Sequence, residues 1–210
     1  MSNSLYLIVY LEPSPASSFY KSLSTFLATS LTRFGPNGAH HYHPHCSMTG
    51  YFKVAPGGDD DLDLTSAKAT LIGILDEQIS ARLPMPPPAI AGIISYKPGV
   101  LLVGLEAPEV YHAVVKKFAE ASAETTEDHV REKRIDHISL AYGDLNDGVV
   151  EEMEQEAREL LKREEEEAGV LEWDVVLYEV LSWSETAGVT HQFGELKRWR
   201  VTEGNSRVSA

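Results

Sequence analysis

His45-Cys46-Ser47-Met48-Thr49 reads as part of a strand, and His137-Ile138-Ser139-Leu140 reads the same way far along the chain. Both run His-x-Ser and then an apolar residue. Side chains alternate between the faces of a strand, so His45 and Ser47 share one face, as do His137 and Ser139. Two such strands side by side would bring two imidazoles and two hydroxyls to one spot. That set suits proton transfer around an anion: one histidine takes a proton, the other gives one, and the hydroxyls hold the oxygens.

Outward from these stretches, the chain mixes strand and helix signals. Residues 5–11 (LYLIVYL) are apolar and β-branched and predict a buried strand. Ser14 with Pro15 is a candidate helix start. Phe19, Leu23, Phe26, Leu27 and Leu31 recur at helical spacing up to residue 34, and Gly35-Pro36-Asn37-Gly38 closes that helix. The first motif strand is expected over 45–54. Pro56-Gly57-Gly58 and the acidic run 59–63 predict an exposed loop. Asp63, Thr65 or Ser66 is expected to cap a helix reaching about residue 82, with Leu71, Ile74, Leu75 and Ile79 inward. The proline-rich run 83–88 reads as a rigid crossing between lobes, or else as a ligand for a proline-binding module. A hairpin over 89–96 and 100–107, a helix from Pro108 to about 123 and the second motif strand over 135–142 follow. An acidic helix over 147–167 carries Val150, Met153, Ala157, Leu160 and Leu161 on one stripe. Strands at 172–183 and 193–201 complete the chain. The two halves therefore read as roughly one device used twice, each with one His-x-Ser strand.

Pro44-His45-Cys46-Ser47 and Asp136-His137-Ile138-Ser139-Leu140-Ala141-Tyr142-Gly143 resemble the two signature motifs of the two-histidine (2H) phosphoesterases. Within that superfamily, the fungal and plant 2′,3′-cyclic-nucleotide phosphodiesterase branch is the most similar. The resemblance implies an α+β, LigT-like fold: one domain over 1–210 with two pseudo-symmetric lobes. Each lobe is an antiparallel-type sheet with helices outside, and the His-x-Ser motifs lie on facing strands of a central cleft. It also implies hydrolysis of 2′,3′-cyclic nucleotides or related small cyclic phosphates to 2′-phosphates, by cleavage of the bond to O3′. His45 and His137 would be catalytic, with His137 handling the water and His45 the leaving group. Ser47 and Ser139 would hold the phosphate; the family often has threonine there.

A strained cyclic diester needs an in-line water, a base and an acid, and histidine suits both roles because its ordinary pKa, about 6.5, lies near working pH. No metal or cofactor is expected. Tyr142 and Trp183 are candidates for stacking on a base. Thr49 shares the motif face and is expected to pack between lobes. Cys46 points the other way and is expected in the core, not as a nucleophile. His41, His43 and His45 alternate, which opens a zinc reading that the resemblance does not need. His40, His112, His129 and His191 have no motif around them and are expected to be structural or on the surface.

The net charge of −14 argues against long nucleic acid as a partner, since such binding rests on basic patches. A small anion in a locally tuned pocket remains compatible. Arg198 and Arg200 could form a basic rim, which would favour the alternatives of an RNA 3′-end phosphodiesterase. A non-catalytic nucleotide-binding module is the alternative from another class. No apolar run approaches the length of a membrane span, and the N-terminus lacks a signal-peptide pattern. The single cysteine fits a reducing, cytoplasmic setting, and a monomer is expected.

Overall fold

A computed structural model of the chain describes residues 5–54, 61–166 and 171–202, with side chains from 64 onward in the second stretch. The elements in order are β1 (Tyr6–Pro13), α1 (Ser18–Phe34), β2 (Cys46–Ser47), β3 (Phe52–Lys53), α2 (Asp61–Ser80), β4 (Ala89–Tyr96), β5 (Val100–Glu106), α3 (Glu109–Ala121), β6 (His137–Ala141), α4 (Asp147–Glu166), β7 (Trp173–Ser182) and β8 (Gln192–Arg200). The fold is α+β with two antiparallel sheets. The first has the order β2-β1-β7-β8, with β3 also pairing with β1, and the second has the order β4-β5-β6. Each sheet carries one motif, on β2 and on β6. No helix among the described residues is long and apolar enough to cross a membrane.

The lobes do not follow the halves of the chain. β7 and β8 return to the first sheet, so β1 is flanked by β7 on one side and by the motif segment on the other. The apolar run of β1 serves two layers. Leu7, Val9 and Leu11 enter the main core, and Ile8 and Tyr10 face a second cluster with Val176 and Tyr178. Alternation thus lets one strand support the core and the floor of the site. The proline-rich crossing is pinned at two points. Met85 N donates to Val201 O at 2.7 Å, and Pro86 O accepts from the Tyr111 hydroxyl of α3 at 3.1 Å.

The first motif strand is not continuous. Only Cys46–Ser47 and Phe52–Lys53 pair with β1, and the chain bulges between them. Thr49 causes this: its hydroxyl accepts from Val9 N at 3.0 Å, taking the place of a ladder carbonyl. The bulge turns its backbone toward the second lobe. Gly50 N donates to Arg131 O at 2.8 Å, Lys133 N donates to Met48 O at 3.0 Å, and Thr49 bridges Glu132. Thr49 is fully buried in this seam.

Two expected caps also differ. α1 begins at Ser18 with Ser17 as its cap, the hydroxyl accepting from Tyr20 N, because Ser14 instead receives the Arg200 guanidinium at 2.9 Å. α2 begins at Asp61, so Thr65 and Ser66 lie within it. Most of the acidic loop expected at 56–63 falls outside the described residues.

Candidate active site

His45 and Ser47 of the first motif and Ser139 of the second line one cavity of about 250 Å³; His137 is not among its lining residues. Tyr10, Tyr42, His43, His45, Ser47, Tyr51, Ser139 and Tyr142 contribute to its wall. β1 places Tyr10 opposite Ser47 in register, and the Tyr10 ring stacks on His45 with centroids 3.8 Å apart. On the facing sheet, β5 sets His137 opposite Gly104 and Ser139 opposite Leu102, while Ile138 and Leu140 fill the core behind. The Cys46 thiol lies against the backbone of Asp136 and His137. This cysteine is buried, and burial pushes its pKa up to about 12, so it is a core residue and not a nucleophile.

Hydrogen bonds fix the tautomer of each motif ring. His45 Nδ1 contacts His43 O at 2.8 Å; a carbonyl only accepts, so Nδ1 carries the hydrogen and Nε2 is left with its lone pair. His137 Nδ1 donates to the Asp136 carboxylate at 2.6 Å, which leaves Nε2 as its free nitrogen as well. The surroundings of the two rings differ. Burial, then the nearby His43, pushes the His45 pKa down to about 4, so this ring is neutral at pH 7. His137 is more open, and its partner is a carboxylate, a group that balances imidazolium charge. A neutral ring at His45 is able to accept a proton through Nε2.

Beneath His43 lies a buried polar network. Glu12 is only 1% exposed. Its carboxylate takes His43 Nε2 at 2.5 Å, Arg198 Nη1 at 3.0 Å and the Tyr178 hydroxyl at 3.3 Å. Burial alone would raise its pKa, but the His43 hydrogen bond and the Arg198 charge hold it below the usual carboxylate range. Arg198 also meets Asp174 and Glu195, and Arg200 meets Asp174 and Glu172. The basic rim expected from these two arginines is therefore consumed by carboxylates, of which Glu12, Glu172 and Asp174 are distant in the sequence.

The remaining candidates divide. Tyr142 lines the cavity; its ring packs where a side chain on residue 38 would sit, so Gly38 is required there, and Gly38 N donates to Tyr142 O at 2.9 Å. Trp183 is 45% exposed and stands behind the wall, edge-on to Tyr51 with centroids 4.7 Å apart. The alternating histidines go to three partners: His41 Nδ1 donates to Val189 O, His43 meets Glu12 and His45 meets His43 O. Among the described residues, no group of three histidine, cysteine or acidic side chains is placed to hold a metal ion. His40 is buried and bonds Ser30, and His191 stacks on His41.

The sequence reading missed Tyr10, Tyr42, Tyr51, Arg131 and Lys133, and it considered His43 only as a zinc ligand. The available signal was Tyr10 and Glu12 on one face of an otherwise apolar strand. Burial pushes the Tyr10, Tyr51 and Tyr142 phenols upward, so these hydroxyls stay neutral donors.

The chain is similar to the crystal structure of E. coli LigT complexed with 3′-AMP, with a TM-score of 0.53 over 95% of this chain and 99% of that chain. The fold is LigT-like. Identity between the two chains is 12%, so the likeness concerns architecture alone. The structure of Kluyveromyces marxianus Usb1 also matches, at 12% identity over 92% of this chain and 97% of that one, but its TM-score of 0.36 is too low to carry an argument. No protein-family model and no curated protein matches the sequence. Within the LigT-like frame, the cavity between the two sheets is where His45, Ser47 and Ser139 meet, with His137 on the same face as Ser139.

Proposed function

We propose that this chain is a two-histidine phosphoesterase that hydrolyses small 2′,3′-cyclic nucleotides to 2′-phosphates without a metal. One observation carries the reading: His45 and Ser47 from one sheet and Ser139 from the other line one cavity, with His137 on the same strand face as Ser139, and among the described residues each histidine is hydrogen-bonded through Nδ1 and not through Nε2. The nucleotide in the LigT complex is consistent with a ligand of this class.

His45 Nε2, neutral, takes a proton from a water in line with the bond to O3′. The water oxygen bonds to phosphorus, the P–O3′ bond breaks, and O3′ receives a proton from His137 Nε2. Ser47 and Ser139 hydroxyls donate to the non-bridging oxygens as negative charge gathers there. The products are a 2′-phosphate and a free 3′-hydroxyl, and the two rings exchange their protons with solvent before the next cycle. The tyrosine-rich wall offers faces on which the base stacks.

Incubation with each of the four 2′,3′-cyclic mononucleotides in the presence of EDTA tests this. Conversion to the 2′-phosphate of at least one is expected; no conversion of any would overturn the reading. The pH profile of kcat/KM gives a sharper check. A base with its pKa at about 4 stays deprotonated above that value. The acid limb of the profile is therefore expected near pH 4, well below the ordinary histidine value of about 6.5. An acid limb at 6 to 7 would remove His45 from the role of base.

A further inference from the structure

Arg131 and Lys133 lie on the cavity wall in alternating positions of one extended segment, with Glu132 between them bridged to Thr49. Alternation turns both cations to the same side. No carboxylate among the described residues is within ion-pair distance of either. Among the described residues no aspartate or glutamate lines the cavity, although the chain has 32 acidic residues against 18 basic ones. Two like charges beside each other without a counter-charge raise each other's free energy, and an anion between them relieves it. Both residues are exposed, and it is their backbone that is fixed. The backbone of both residues is tied to the bulge, and the Arg131 guanidinium lies against Gly50, where a Cβ would come within 3.1 Å of Nε. Ser47 to Gly50 spans at most about 10 Å of chain, a reach that one nucleotide can bridge.

From this placement we infer that Arg131 and Lys133 form a second anion subsite, which takes a phosphate on the 5′ side of the ribose that carries the cyclic phosphate. The inference rests on the phosphoesterase reading for the identity of the substrate, but not for the existence of the subsite. A 5′-monophosphate and the phosphodiester of a short oligonucleotide share the required chemistry.

The test compares kcat/KM for adenosine 2′,3′-cyclic phosphate with and without a 5′-phosphate, in the wild type and in an R131Q/K133Q double variant. Wild type is expected to prefer the 5′-phosphorylated substrate by about tenfold or more, and the double variant to fall to a ratio of about one. A K116Q/R163Q variant loses the same charge away from the cavity and is expected to keep the wild-type ratio. A wild-type ratio near one, or a ratio that survives in R131Q/K133Q, overturns the inference. Replacing the 5′-phosphorylated substrate by the dinucleotide ApA ending in a cyclic phosphate separates the sources: a preference retained there assigns the subsite to a diester, and one lost there to a terminal phosphate. Calorimetric binding of adenosine 2′,5′-bisphosphate against adenosine 2′-phosphate needs no turnover. Tighter bisphosphate binding that R131Q/K133Q abolishes, with no hydrolysis of either cyclic substrate, upholds the subsite and removes the hydrolase reading. Hydrolysis without any 5′-phosphate preference does the opposite.

Discussion

Replacing His45 or His137 by alanine is expected to lower kcat/KM for a 2′,3′-cyclic nucleotide by roughly 10²–10⁴-fold, the range for loss of a positioned acid or base. Each substitution removes one imidazole from the motif strands and leaves the sheets intact. β2 is held to β1 through its backbone, and β6 is anchored by Ile138 and Leu140 in the core. Thermal melting of both variants should stay near wild type, which separates lost chemistry from lost fold. The double variant should fall little further than the worse single one, because neither ring moves the reaction far without the other. Wild-type rates in both single variants would leave the proposed hydrolysis without its acid and base.

The second large effect concerns stability. Glu12→Ala is expected to cost about 3 kcal/mol, the low end for removing one partner of a buried ion pair. It strands His43, Arg198 and Tyr178 together, and only Arg198 keeps other carboxylates, Asp174 and Glu195. In a chain of this size that loss corresponds to a fall in Tm of roughly 6–12 °C. The pH dependence has a definite sign. The Glu12 carboxyl is held below its ordinary pKa of 4.5, so its contribution is complete above that value and fades as pH falls below it. The gap between wild type and the variant in denaturant melts should therefore narrow below about pH 4.5. A gap that is constant down to pH 3 would mean that the carboxylate charge is not what stabilises the network.

The periodic parts of this fold were legible in the sequence. The α4 stripe of Val150, Met153, Ala157, Leu160 and Leu161 is buried as its spacing predicts, and the hairpin of β4 and β5 falls at the expected residues. His-x-Ser alternation located both motif segments. What escaped the reading depends on single side chains bonding to distant backbone or to distant charges. Thr49 breaks the first motif strand through one hydroxyl, an event with no period. Arg198 and Arg200 look free in the sequence because their partners Glu12, Asp174 and Glu172 are close to them only once β1, β7 and β8 are assembled. Arg131 and Lys133 sit in a stretch that reads as a polar linker, since only the backbone bonds to the bulge carry them to the cavity. The pairing of β7 with β1 had no local signal either, as both strands look equally able to pair with any neighbour.

That pairing bears on how the protein emerges from synthesis. β1 meets its longest partner only when β7 has been made, with Leu7 opposite Glu179 at the far end of the chain. Until then the first lobe lacks half its sheet, and one side of an apolar strand is open to the wrong neighbours. Long-range closure of this kind is slow and leaves nascent chains exposed to misassembly. Cutting the polypeptide between its two histidine motifs would not liberate a self-sufficient lobe.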